Sequence, residues 1–392
     1  MLVFASRNSV EGRQASRPFN VLLLVEDSLR PDHLTLYRDL PDKPTTPTLS
    51  RLAERGAFLY RDCQAQGTCS KASITALLTG RFPTFKDFEP QVWKQLRRRP
   101  DTLLSRLGRA GYRTYWGFTP AHVTKRRDEK TRDAFLAWRA QQPADRPWVA
   151  YLHFMGAHAP YRDREGRLLI TREEKELPLF APESSPRDFP DLESHLQAYD
   201  DAIRTTDAVV GELLQALEAC GELERTVVVV TSDHARAWGE HGRMGHGLAF
   251  NREVVWVPLL IWVPGRLSSP RWIDTPVQHL DLLPTLLAAC GFSADSSLPG
   301  RNLLDPKLDG APLERPIGHG VYDSQSGSIL LGVRRGRWQA YFSRTARGAE
   351  SALYDLMNDP LEKRNIATHQ PSELNRARRD AITFGSEWQR AL

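Results

Sequence analysis

The chain has 392 residues, 41% hydrophobic and 26% charged, the balance of a globular protein with a sizeable core. Its 53 basic and 48 acidic side chains leave a net charge of +5, which suits an anionic substrate and gives no reason to expect a nucleic-acid partner. No run of about 20 apolar residues occurs, which argues against a membrane-spanning helix. The four cysteines, Cys63, Cys69, Cys220 and Cys290, have neither C-x-x-C nor zinc-finger spacing.

Met1–Asn20 is polar and Arg-rich and lacks the apolar core of a signal peptide. The expectation is a loosely attached segment over residues 1–19 and, by default, a cytoplasmic protein. Val21–Val25 is a continuous branched apolar run and predicts a buried parallel strand. It ends in Glu26-Asp27-Ser28. Ligands of open α/β sheets sit at strand carboxyl ends, so two carboxylates there suggest a cation site; a helix N-cap is the plainer alternative. Thr48–Gly56 predicts a helix stopped by Gly56.

Gly67–Gly80, G-T-C-S-K-A-S-I-T-A-L-L-T-G, places hydroxyl, thiol and amine side chains directly before a helical apolar repeat. Ile74, Leu77 and Leu78 share one helix face, which predicts burial from Ser73 onward. Thr68, Cys69 and Ser70 then lie at a helix N-terminus, where free N–H groups favour an anion. The alternative is again a simple cap.

Leu103–Ala110 predicts a helix, Tyr112–Gly117 a strand, and Glu129–Arg146 a charged surface helix. The basic runs Arg97–Arg99 and Lys125–Arg127 read as solvated faces. Trp148–Phe154 is a second buried strand, with His153 and His158 at or just past its end. Arg162–Asp191 is rich in charge, Pro and Ser, and is expected to form a substrate-side insertion. Leu196–Leu217 is the longest amphipathic helix. Thr226–Val230 is a third strand, ending in Thr231-Ser-Asp-His234 before the Gly-rich Gly239–Gly247 with His241 and His246. An Asp-His pair with further histidines nearby suits a metal cluster. Val257–Val263 predicts a fourth strand and His279–Cys290 a helix. From Gly291 the composition shifts. Ile329–Phe342 predicts antiparallel strands, Leu353–Leu356 a short edge element, and Ser372 the start of a last helix. The expected division is a catalytic α/β domain over 20–290 and a C-terminal subdomain over 291–392.

At this point the chain resembles the sulfatase family of the alkaline phosphatase superfamily. N-V-L-L-L-V-E-D-S-L-R-P-D-H-L, S-K-A-S-I-T-A-L-L-T-G-R-F-P, T-S-D-H, V-P-L-L-I-W-V-P-G and L-Y-D-L-M-N-D-P-L-E-K-R-N-I-A are similar to that family's successive motifs. The resemblance implies an alkaline-phosphatase-like sandwich: a large, mostly parallel mixed sheet flanked by helices, and a smaller C-terminal antiparallel sheet. It implies Asp27, Asp233 and His234 as ligands of one divalent metal ion, with Glu26 as a further candidate. Counting back from Gly80, it implies Ser70 as nucleophile, with His158 and His246 as oxyanion-binding or leaving-group residues; Lys71, beside Ser70, is a further oxyanion-binding candidate or a solvated surface lysine. The Asp/His set favours zinc or manganese over calcium or magnesium.

Typical sulfatases carry C-x-P-S-R, whose Cys or Ser is oxidised to formylglycine; here Ile74 stands where the arginine would be. The family's G-K-W-H lysine has no counterpart, Gly117-Phe-Thr-Pro120 standing there. Leu152–Tyr161 and Tyr199–Asp207 look instead like H-x-M-G-S-H-G-P and Y-D-N-x-I-x-x-T-D of the phosphoethanolamine transferases, which with the lipoteichoic-acid synthases use an unmodified threonine. The expected function is thus a metal-dependent hydrolase or transferase of phospho- or sulfo-esters through Ser70. Its substrate would be an anionic small molecule, glycan or lipid ester. The alternatives are a sulfatase with a modified residue at 70 and a catalytically inactive binding protein on the same fold.

Overall fold

The computed structural model describes residues 18–38, 43–118, 127–161, 192–247, 251–308, 315–386 and 388–392. The expected insertion at Arg162–Asp191 and nearly all of the N-terminal segment 1–19 lie outside them, as do Lys125 and Arg126 of the second basic run.

In chain order the main elements are β1 (Asn20–Glu26), α1 (Pro47–Glu54), β2 (Ala57–Tyr60), α2 (Ser70–Thr79), α3 (Leu103–Arg109), β3 (Arg113–Phe118), α4 (Arg127–Ala140), β4 (Trp148–Phe154), α5 (Leu192–Ala219), β5 (Thr226–Ser232), β6 (Leu259–Trp262), β7 (Arg271–Ile273) and α6 (Leu282–Ala289). They are followed by β8 (Ile317–Tyr322), β9 (Ile329–Arg335), β10 (Trp338–Thr345), β11 (Gly348–Asp355) and α7 (Pro371–Ile382). The first seven strands form one sheet in the order β7-β2-β6-β5-β1-β4-β3. Every pairing in it is parallel except those of β6, which runs antiparallel to both neighbours.

β1 is buried along its whole length, and its residues alternate between two cores. Val21, Leu23 and Val25 meet α2, α3 and α6 through Ile74, Leu78, Leu104 and Leu283. Leu22 and Leu24 meet α1, α4 and α5 through Leu49, Phe135, Val210 and Leu213. This two-sided burial is why the strand reads as an unbroken apolar run. β8–β11 form a separate antiparallel sheet in sequence order. It packs on α7 and, through Ala72 and Phe88, on α2 and the segment after it.

Three elements differ from the sequence expectation. The strand expected over Val257–Val263 is two pieces: Trp256–Val257 pairs with Cys63–Gln64, and only Leu259–Trp262 joins the main sheet. β11 is an eight-residue strand, since its exposed start at Gly348–Ser351 is held by pairing with β10 rather than by apolar patterning. The helix near Glu129 is not confined to the surface: Phe135 is in the core and Asp128 is buried, because α4 packs against α5 and β4. Among the described residues no helix is long and apolar enough to cross a membrane.

A partly buried polar network ties the segment between β5 and β6 to the C-terminal sheet. His241 Nδ1 meets Glu253 Oε1 at 2.8 Å and His241 Nε2 meets the Glu362 carbonyl at 3.2 Å. Glu362 in turn accepts from Asn251 Nδ2 and Tyr341 Oη. Burial disfavours charge on His241, but Glu253 outweighs it and raises the imidazole to about 9. Because the folded value exceeds the unfolded one, the stabilisation is complete below about pH 6.5 and is lost as pH rises through 9. His241→Gln should therefore cost roughly 1–2 kcal/mol in urea unfolding near pH 6 and much less near pH 9.5, after a discount for partial solvent exposure.

Candidate active site

Three neighbouring parallel strands, β5, β1 and β4, deliver the site at their carboxyl ends. Glu26 is level with Ser232 on one side and Phe154 on the other, so Asp27 and Asp233 each follow a matched strand end. His153 lies one pleat earlier on the face of Val25. Asp27, His153 and Asp233 are buried and offer ligand atoms all within 4.8 Å of one another.

Asp27 is the hub. Ser70 Oγ donates to its Oδ2 at 3.2 Å, His153 Nε2 lies 3.3 Å from Oδ2, and Ser28 Oγ donates to Oδ1 at 2.8 Å. Burial alone would push the carboxyl up; His158, His153 and His234 outweigh this and hold it well below the usual carboxylate range. Burial likewise opposes charge on His153, but Asp27 and Asp233 raise its imidazole above the ordinary value. Asp233 Oδ1 accepts from the backbone N–H of Ser28 at 3.2 Å and of His234 at 2.8 Å. Its Oδ2 is buried without a hydrogen-bond partner, and His153 Nε2 is buried with the 3.3 Å ion pair to Asp27 Oδ2. An unbonded carboxylate oxygen beside an imidazole nitrogen and a second carboxylate is a donor set that fits a divalent cation.

His234 Nδ1 donates to the Ala235 carbonyl at 3.0 Å. That leaves Nε2 as the basic nitrogen, 3.5 Å from Asp233 Oδ2 and 3.4 Å from Ser70 Oγ. The His246 ring lies 4.2 Å from that of His234 and 5.8 Å from that of His158.

The backbone at the hub is strained. Ser28 has φ +63°, a left-handed conformation that costs a non-glycine residue about 1–3 kcal/mol. It is held by Asp233 at its N–H and by Tyr199 Oη, which donates to its carbonyl at 2.7 Å. Asp207, at the other end of the Tyr199–Asp207 motif, accepts from the N–H groups of Thr48 and Leu49 and so caps α1.

The position of Ser70 is set by α2. Its N-cap is Cys69, with extended backbone and no side-chain cap, and Ser70 is already the first helical residue, three residues earlier than the apolar pattern implies. The simple-cap alternative therefore fails: the Ser70 hydroxyl turns to Asp27, and no side-chain cap claims the helix's first N–H groups. Gly80 ends the helix at φ +63°. Burial pushes the neighbouring Cys69 thiol above its usual range.

Not every expected residue converges here. Glu26 points to the opposite face of the sheet, where burial, then Asp207 and Asp128, raise its carboxyl far above the usual range. It is absent from the ligand group because side chains alternate along a strand. Lys71 Nζ donates to the Phe88 carbonyl at 3.1 Å, so its charge is engaged by backbone outside the Asp27 hub. His153, absent from the metal set expected from the sequence, is the residue that the structure groups with Asp27 and Asp233. Its signal was the period of two along β4, which puts Val149, Tyr151 and His153 on one face.

The Met155–His158 turn rests on Asp128, whose carboxylate accepts from the Met155 N–H and from Thr206 Oγ1. A Cβ at Gly156 would lie 1.9 Å from Thr206 Oγ1. Gly156→Ala should therefore destabilise the fold by about 1–3 kcal/mol and displace His158, read as a lower unfolding midpoint with reduced turnover.

The sulfatase family model matches residues 19–292, more than half of the chain. The chain belongs to the sulfatase family. Mouse arylsulfatase K is 30% identical over 177 residues, covering 42% of this chain and 31% of its own length. This chain thus aligns with about a third of that sulfatase. Choline-sulfatase of Rhizobium meliloti (strain 1021) is 25% identical over 442 aligned positions, covering 91% of this chain and 84% of its own. Among solved structures, the phosphonate monoester hydrolase of Agrobacterium radiobacter superposes with a TM-score of 0.71 at 20% identity, covering 95% of this chain and 96% of its own. At that identity the likeness is one of fold. The sulfatase fold is the alkaline-phosphatase-like sandwich described above.

Proposed function

We propose that this sulfatase-family chain hydrolyses sulfate- or phosphate-type esters, phosphonates included, with the unmodified Ser70 hydroxyl as nucleophile. The observation that carries the reading is Ser70 Oγ at the open N-terminus of α2, within 3.2 Å of Asp27 Oδ2 and 3.4 Å of His234 Nε2.

Ser70 Oγ attacks the sulfur or phosphorus, and its proton passes to His234 Nε2. The bond to the leaving oxygen breaks, and His246 or His158 gives that oxygen a proton. The first N–H groups of α2 hold non-bridging oxygens. Water then attacks the seryl ester, restoring the hydroxyl and releasing sulfate, phosphate or phosphonate. A divalent cation held by Asp27, His153 and Asp233, with His234 adjoining, would supply positive charge that makes the Ser70 hydroxyl more acidic and offsets charge on the ester oxygens. The mixed nitrogen and oxygen donors suit zinc or manganese.

Family membership supports a second reading, an oxidised residue at 70. Against it stands Ile74, where typical sulfatases place arginine: its side chain is fully buried in the apolar core between α2 and the sheet. A panel of aryl sulfate, phosphate monoester, phosphodiester and phosphonate monoester, with Ser70→Ala as control, tests the first reading. Mass spectrometry of the Ser70 peptide tests the second, since an aldehyde there removes the unmodified serine. No turnover of any of these esters together with no bound cation would leave an inactive binding protein.

A further inference from the structure

Residue 68 lies two positions before the nucleophile and is buried. Its carbonyl accepts from His246 Nδ1 at 3.1 Å and from the Gly247 N–H at 3.2 Å. Its hydroxyl donates to the Gly247 carbonyl. One side of the site is thus tied to the other through a single threonine. The next residues upstream are held as well: the Gln66 carbonyl accepts from the Gly320 N–H at 2.9 Å, and the Ala65 carbonyl meets His319 Nδ1 at 2.8 Å. The loop leading to Ser70 is therefore clamped to β8 behind and to His246 in front.

We propose that Thr68 is a positioning residue that registers His246 against Ser70, an inference that rests on the ester-hydrolase reading. Carbonyl acceptance at Nδ1 keeps the proton of neutral His246 on that nitrogen and leaves chemistry to Nε2. The hydroxyl adds a second, independent latch on the next residue, so one bond holds the ring and two hold the backbone that carries it. Valine keeps the shape of threonine and the carbonyl but removes that latch. Serine keeps the latch and loses only a methyl group.

The test uses the full chain and the variants Thr68→Val and Thr68→Ser, alone and with His246→Ala. Two readouts are taken: kcat and KM on whichever panel ester the native protein turns over, and 15N–1H correlation of the histidine rings without substrate. Thr68→Val should lower kcat roughly 10–100-fold with KM within about threefold, the scale of a misplaced catalytic group. Thr68→Ser should restore kcat to within about threefold of native, and Thr68→Val should add nothing once His246 is alanine. In the ring spectrum, native His246 should show the Nδ1–H tautomer, and Thr68→Val should give mixed tautomers or a shifted, faster-exchanging signal. Native kcat with an unchanged His246 signal in Thr68→Val overturns the proposal. So does Thr68→Ser as impaired as Thr68→Val, which would mean that packing alone matters. If the native protein turns over no ester, the hydrolase reading fails, and the ring spectrum by itself decides whether Thr68 positions His246.

Discussion

Ser70→Ala is expected to lower kcat by about 10⁴-fold or more on every ester the native protein cleaves, while leaving the fold intact. In the proposed mechanism the Oγ removed is the attacking atom, and neither neighbouring nucleophile shares its bond to Asp27. The Cys69 thiol is pushed up by burial, the bond to Asp27 is made by Ser70 Oγ, and Ser73 is committed to the Asp233 carbonyl and to His279. Structural loss should be small. Ser70 is only part-buried in its bond to Asp27, which retains Ser28 Oγ as a donor. Melting temperature and circular dichroism should therefore match the native protein within error while turnover falls to background. Retained activity would move the nucleophile elsewhere, with Cys69 as the next residue to test.

Asp233→Asn should remove most of the bound divalent metal and lower turnover by roughly 10³-fold, the scale of several kcal/mol of lost charge stabilisation. The change is nearly isosteric. The asparagine carbonyl can keep the bonds from the Ser28 and His234 N–H groups, so the strand end stays in place. What changes is the other atom. Oδ2, an orphaned acceptor, becomes an NH₂ that cannot ligate and would oppose a cation. Metal analysis and thermal melts with and without added zinc or manganese check this. The native protein should lose both activity and the metal-dependent rise in melting temperature on chelation and regain them on re-addition, and Asp233→Asn should show neither response. Equal metal content in the two proteins would show that the group does not hold the ion.

The site was legible where chemistry follows strand ends and illegible where it depends on which way a side chain points. Asp27, Asp233 and His234 follow strands and Ser70 opens a helix, each element having a strong apolar signature, and all four meet within hydrogen-bond or ion-pair reach. Glu26 adjoins Asp27 in sequence yet faces Asp128 and Asp207 across the sheet, since consecutive strand residues take opposite faces. His153 carried the matching signal in reverse: it shares a face with Tyr151, whose hydroxyl lies 3.0 Å from its Nδ1, so its Nε2 is the nitrogen left toward Asp27. Lys71 shows the helical version, because a residue one step on from Ser70 is turned about 100° around α2 and reaches Phe88 instead.

By itself the sequence determined the buried parallel strands, the helix that carries Ser70, the acids and histidines at strand carboxyl ends, and the replacement of the signature arginine by Ile74. Those are local properties: apolar runs, periodicity and residue type. Only the tertiary structure decided that β5, β1 and β4 are neighbours, that His153 joins Asp27 and Asp233, and that Glu26 and Lys71 do not. Strand order, and which face of the sheet meets the site, depend on contacts more than a hundred residues apart, such as the bond of Ser28 to Asp233 and the pairing of β1 with β5. No window along the chain contains both partners of such a contact.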